Sequence, residues 1–266
     1  MADDSGHMSH PPFAYDGYGN RCRIGLVFIA SSVVMEAEMW AMAARGVSVH
    51  TSRMRLAKVT VEGIDEMMRS PELEEATRLA AAAPIDILCF GGTSASFLHG
   101  TAWDQALISR MREWAPQRKL TTASTATLAA LAALDVGPVA LATPYVEAVH
   151  ERAIRFLAEN GHSVVASAHL SIAEDRALAE VPLERVYDLC LEVDRPEAEA
   201  IFISCTNFRS VGVIAALEAT LGKPVVSAVQ ASFWHCLELA DVNGARPGYG
   251  RLLDSRVADE PDPSAA

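Results

Sequence analysis

The sequence lacks the features that would tie it to nucleic acid, a membrane or the oxidising exterior of a cell. It has no basic run: Lys+Arg number 22 against 34 Asp+Glu, a net charge of −12 over 266 residues. Without a basic patch to neutralise phosphates, nucleic-acid binding is excluded as a function class. No stretch reaches the roughly 18 apolar residues that a membrane-spanning helix needs. The longest apolar runs, 127–134 and 211–217, are short and rich in alanine. Residues 1–20 carry no apolar core and no cleavage pattern, so they read as a disordered leader rather than a secretory signal. The five cysteines, Cys22, Cys89, Cys190, Cys205 and Cys236, are odd in number, widely spread and form no C-x-x-C pair. Neither a disulfide framework nor a zinc site is expected, and a reducing cytoplasm is the expected setting. The eight histidines show no metal-ligand spacing, so no metal is expected either.

Half of the residues are hydrophobic and 21% are charged, an ordinary globular balance. Continuous apolar runs such as Ile24–Ala30 and Ile85–Phe90 are the mark of strands buried on both faces. Strands are expected at 24–30, 47–53, 85–90 and 119–123, and again at 139–143, 163–168, 200–204 and 225–228, with helices between them. Ser31 and Ser32 are expected to cap the first helix, Gly46 to stop it, and Ser124 to cap the alanine-rich helix after 124. Strand and helix alternate throughout, which predicts an α/β fold of parallel sheets flanked by helices. The expected organisation is a leader (1–20), an N-terminal α/β half (21–137), a C-terminal α/β half (138–240) and a closing segment (241–266). That segment is expected to return toward the first half and to be disordered after about 258.

The two halves resemble each other. In each, a buried strand runs directly into a short turn rich in Gly, Ser, Thr or Asn, at Gly92 and at Cys205. Ligands of open parallel sheets bind beyond the carboxyl ends of the strands, so two such ends would face each other across a cleft. Cys205 precedes Thr206, Asn207 and the expected start of a helix, whose N–H groups would bind an anionic oxygen and lower a thiol pKa. The other four cysteines read as buried hydrophobes. In the run 91–96, Gly92, Thr93 and Ser94 offer close backbone approach and hydroxyl donors, yet the run matches neither phosphate-loop pattern. A carboxylate suits such donors equally well. Tyr145, after the strand 139–143, can donate its hydroxyl into the cleft. Arg209, Arg53 and Arg55 are candidates to hold a carboxylate, and His99 is the histidine nearest a candidate turn.

These residues resemble the aspartate/glutamate racemase superfamily, whose members carry a cysteine at a strand end in each of two similar halves. The counterparts here are the run 91–96, with Gly92 in place of the first cysteine, and the run 204–208, which keeps Cys205. Within the superfamily the chain is most similar to the arylmalonate decarboxylase and maleate isomerase branch. The runs GTSASFLHG (92–100), VALATPYVEAVHER (139–152) and ARPGYGRL (245–252) resemble the decarboxylases. SRMRLAKVT (52–60) is more similar to maleate isomerases, and SCTNFR (204–209) to ectoine-utilisation members of the group. Thr206 and Asn207 stand where decarboxylases have glycines, which narrows the site. Ser31-Ser32-Val33 offers no Asn of the kind maleate isomerases use after the first strand.

The resemblance implies two halves related by a pseudo-twofold axis, with the active site in the cleft between them. It implies chemistry that needs no cofactor, on a small carboxylate or dicarboxylate, and leaves a homo-oligomer open. A carbanion next to a carboxylate would be stabilised as an enediolate by preorganised donors. The proposed donors are Thr93, Ser94, Tyr145 and the backbone N–H groups around Thr206 and Asn207. A two-base racemase needs an acid/base group on each face, and Cys205 serves only one. A decarboxylase needs a single protonation, so one cysteine favours decarboxylation of a substituted malonate with Cys205 as proton donor. Two alternatives stand beside it. One is a cis-trans isomerase or racemase with His99 or Tyr145 as second base. The other is a non-catalytic ligand-binding relative serving ectoine breakdown.

Overall fold

Strand and helix alternate along residues 18–258, the part of the chain that the computed structural model describes. Of the expected leader, residues 1–17 lie outside the described residues while 18–20 turn into the first strand, and 259–266 also lie outside them. The first half runs β1 (Cys22–Ile29), α1 (Met35–Met42), β2 (Val47–Met54), α2 (Val61–Arg69), α3 (Glu72–Ala82), β3 (Ile87–Phe90), α4 (Thr93–Phe97), α5 (Thr101–Trp114), β4 (Lys119–Thr122) and α6 (Ala123–Ala133). The second runs β5 (Val139–Thr143), α7 (Glu147–Glu159), β6 (Val164–His169), α8 (Asp175–Glu180), α9 (Leu183–Val193), β7 (Ala200–Ile203), α10 (Val211–Leu221), β8 (Val225–Ser227), α11 (Ala228–Ala240) and α12 (Arg251–Asp254).

The strands form two four-stranded sheets, ordered β2-β1-β3-β4 and β6-β5-β7-β8, with every pairing parallel. The same order in both sheets is the structural form of the similarity between the halves. In each, the chain moves outward from the first strand, then crosses back to its other side, which makes a topological switch point. The inner strands β3, β5 and β7 are buried along their whole length, as their unbroken apolar runs require. Helix α11 crosses to the first half and packs on α6 and β3. Ala245 then bridges to Ala43 and to Val257, so the closing segment lies on that half too. Among the described residues, no helix is long and apolar enough to cross a membrane.

Several helix starts differ from the sequence expectation. Helix α1 begins at Met35 with no side-chain cap, because Ser31 and Ser32 hydrogen-bond elsewhere. Thr122 rather than Ser124 caps α6, accepting from the Thr125 N–H, while Ser124 pairs with Ser96. Helix α7 starts at Glu147, which leaves Tyr145 in the strand-to-helix connection. Gly46, at φ +90°, sits in the turn into β2 after α1 has ended at Met42.

Candidate active site

The switch points explain where the site lies. The connections leaving β1, β3, β5 and β7 meet around one cavity. The first sheet supplies Ser32, Gly92, Thr93 and Ser94, and the second supplies Tyr145 and Cys205. Thr206 Oγ1 donates to the Gly91 carbonyl at 2.8 Å, so the two strand-end turns are joined directly. Ile29, Leu56, Val59, Met67 and Leu178 form an apolar side to the cavity. The segments carrying Val59 and Asp175 meet over it: the Val59 N–H donates to the Ala173 carbonyl at 2.8 Å, and Lys58 pairs with Glu174 at 3.3 Å.

Cys205 stands at φ +138°, a region that an L-residue other than glycine rarely occupies. Such strain costs about 1–3 kcal/mol and persists where the surroundings hold it in place. The hold is visible. Ser204 N–H extends the β5–β7 ladder by donating to the Ala142 carbonyl, and Thr206 is tied to Gly91. Helix α10 does not follow at once: it begins at Val211, so its N-terminus does not act on Cys205. Burial dominates instead and pushes the thiol from its ordinary 9.0 up to about 12. The negative charge of Asp175 adds to the rise; the Asn207 N–H, donating to Sγ at 3.4 Å, opposes it. The thiol is therefore protonated at neutral pH.

Opposite in chemistry to this thiol is a set of hydroxyls without partners. Thr93 Oγ1, Tyr145 Oη and Ser204 Oγ are buried, and none makes a hydrogen bond in the structure. Ser204, Cys205 and Thr93 lie close around the Tyr145 hydroxyl, but no pair meets hydrogen-bond geometry. Burial, ahead of these neighbours, raises the Tyr145 phenol well above its ordinary value, so it stays protonated and able to donate. Buried hydroxyls left unpaired are costly, and they mark a place where an acceptor completes the structure. Gly92 is the N-cap of α4, whose first N–H groups have no partner within the helix and no side-chain cap.

The other predicted site residues serve the walls. Asn207 lines the cavity with its side chain already engaged: its Oδ1 accepts from the Val33 N–H at 3.0 Å, and its Nδ2 donates to the Asp175 carbonyl at 2.7 Å. Ser31 Oγ donates to Asp175 Oδ2. Arg53 donates to the carbonyls of Ile29, Ala30 and Ser32 and pairs with Glu36 at 2.7 Å. Arg55 pairs with Glu72. Arg209 donates to the carbonyls of Glu180 and Val181. His99 pairs with Asp65 at 2.7 Å and does not line the cavity, so it is not placed as a second base. Cys22, Cys89, Cys190 and Cys236 are buried and line no part of the cavity, as hydrophobic fillers should be.

Asp175 is the residue that sequence reasoning missed. It is 7% exposed, lines the cavity and gathers Ser31, Ser32 and Asn207 around one oxygen. Its nearest partners in sequence are 32 residues away and its farthest 144, so no local spacing announces it. Among the described residues, no cluster of His, Cys, Asp and Glu has the arrangement to hold a metal ion.

Comparison with known proteins agrees with this fold. A family model described as arylmalonate decarboxylase matches residues 24–253. The chain is 40% identical over 208 residues to the arylmalonate decarboxylase of Bordetella bronchiseptica, covering 76% of this chain and 85% of that one. It is 30% identical over 246 residues to the maleate isomerase of Nocardia farcinica, covering 88% and 97%. Among solved structures, it superposes with a TM-score of 0.82 on a liganded arylmalonate decarboxylase in which a glycine is replaced by cysteine and a cysteine by serine. The identity there is 34%, over 88% of this chain and 99% of that one. A TM-score of 0.84, at 27% identity over 88% and 98%, relates it to a mutant Nocardia farcinica maleate cis-trans isomerase carrying a covalent succinylcysteine intermediate. The sequence resemblance and the two-sheet architecture thus converge, and the chain belongs to the arylmalonate decarboxylase family.

Proposed function

We propose that this protein decarboxylates a substituted malonate, with Cys205 as the proton donor and no cofactor as electron sink. The observation that carries the reading is the pairing of one buried, protonated thiol with Gly92, not a second cysteine, in the same cavity. The substrate's retained carboxylate accepts from Thr93, Tyr145 and the first N–H groups of α4. The bond to the other carboxylate breaks, CO₂ leaves, and the electron pair passes into the retained carboxylate as an enediolate. The charge grows on oxygens that face preorganised donors, each worth about 3–4 kcal/mol of barrier. The Cys205 Sγ–H proton then moves to the α-carbon, and the thiolate left behind takes a proton from water.

A thiol raised to about 12 suits this cycle. The α-carbanion of a carboxylate is far more basic than the thiolate, so transfer runs downhill, and the thiolate reprotonates readily. The isomerase alternative, built on a cysteine adduct, needs a thiolate nucleophile, which burial and Asp175 disfavour here. The apolar lining residues Ile29, Val59 and Met67 give the departing carboxylate a poorly solvated place, where loss of charge is favoured.

The test is proton NMR in D₂O on a panel of substituted malonates, maleate and α-substituted acids, with Cys205→Ala alongside. Carbon loss with deuterium at the new α-position, absent in the variant, is the expected result. Isomerisation of maleate or α-exchange without carbon loss would replace this reading with the isomerase one. Tight carboxylate binding without turnover, unchanged in Cys205→Ala, would point to a ligand-binding relative.

A further inference from the structure

We infer that Asp175 selects substrates whose substituent carries a protonated amine. The inference rests on the carboxylate-binding site proposed above and names what sits beside it.

Asp175 is the sole charged side chain among the described residues that line the cavity, and no lysine, arginine or histidine among the described residues pairs with it. Its hydrogen bonds are one-sided. Ser31 Oγ donates to Oδ2 at 2.7 Å, Ser32 Oγ at 3.0 Å and Asn207 Nδ2 at 3.2 Å. The remaining Asn207 contact goes to the Asp175 backbone carbonyl at 2.7 Å. Oδ1 takes none of these bonds, and it is not among the fully enclosed unpaired atoms. The residue is therefore anchored through one oxygen, and the other takes no part in that anchoring at the cavity it lines.

A buried carboxylate without a cation is costly, and three neutral donors do not neutralise it. A ligand amine placed there supplies the missing charge and a charge-assisted hydrogen bond. The same charge repels a second carboxylate, so an unsubstituted dicarboxylate is disfavoured with its distal group at this point. The neighbouring Leu56 and Leu178 suit the methylene that links such an amine to the α-carbon. The chemical class implied is an α-(aminoalkyl) malonate, whose decarboxylation yields a β-amino acid or a longer ω-amino acid.

Equilibrium binding of product-sized probes tests this without turnover. 3-Aminopropanoate and butanoate have the same number of heavy atoms and differ in the terminal group. Calorimetric titration of the wild type should show at least tenfold tighter binding of 3-aminopropanoate. The ratio should fall to about one in Asp175→Asn, which keeps the hydroxyl partners, and should reverse in Asp175→Val. Should Asp175→Val fail to fold for want of partners for Ser31, Ser32 and Asn207, the Asp175→Asn arm decides. Butanoate binding as tightly as the amine, a preference that survives in Asp175→Asn, or no binding of either probe would overturn the assignment. CO₂ release from (aminomethyl)malonate is followed beside the titrations. A preserved amine preference without CO₂ release would leave Asp175's role standing and remove the decarboxylase reading.

Discussion

Removing the Tyr145 hydroxyl should move stability and activity in opposite directions. The ring is 1% exposed and packs edge-on to Phe97, with centroids 6.1 Å apart, contacts that phenylalanine would keep. The hydroxyl itself has no hydrogen-bond partner in the free protein. A buried unpaired polar group costs about 1–3 kcal/mol, so Tyr145→Phe should raise the unfolding free energy by about that amount. For a chain of this size each kcal/mol shifts Tm by roughly 2–4 °C, well within reach of calorimetry. In the reaction, the same hydroxyl is proposed to donate to the developing enediolate. Its loss should lower kcat about 10²–10³-fold, the usual cost of one such donor, with KM changing much less. Urea unfolding and steady-state CO₂ release on one preparation read both quantities. A destabilised variant would show that the hydroxyl is paired in the free protein. An unchanged kcat would remove Tyr145 from the proposed donor set.

Three further outcomes follow from the site and its supports. Because Cys205 is raised to about 12, kcat should be flat from pH 6 to 9, whereas a thiol at the ordinary 9.0 would lose about twofold by pH 9; a tenfold rise per pH unit would instead mark a thiolate nucleophile. Gly92→Cys should add deuterium exchange at the α-carbon by supplying an acid/base group on the second face. Its Cβ would meet the Phe90 ring at 2.7 Å, so a stability loss of about 1–3 kcal/mol should accompany it, and a folded variant without exchange would refute the facing-turn geometry. Glu38, whose carboxylate accepts from the N–H groups of Ser210 and Val211, is raised from 4.5 to about 7, chiefly by burial. A carboxyl raised in the folded state contributes stability that is present below pH 4.5 and lost as pH rises through 7. Unfolding at pH 5 and 8 should show a difference on the order of 3 kcal/mol that Glu38→Gln lacks; equal pH slopes in the two proteins would refute it.

The strands, the likeness of the two halves and the two turns at Gly92 and Cys205 are legible along the chain. These are local signals: an apolar run long enough to be buried on both faces, followed by residues that suit a turn. The cap of α2 is local in the same way: the Thr60 side chain accepts from the Gly63 N–H three residues on. What depended on distant partners was not legible. Ser31 and Ser32 look like helix caps until Asp175, more than 140 residues away, takes their hydroxyls. Arg53, Arg209 and His99 look like candidate ligand groups until the folded walls offer them carbonyls and carboxylates. The acidity of Cys205 shows the division most sharply. Reading along the chain, a following helix promises a lowered pKa, but α10 starts only at Val211 and the thiol sits in a buried site beside Asp175. Only the tertiary structure decided that desolvation, which depends on everything packed around an atom, outweighs the single backbone N–H that the neighbouring residues supply.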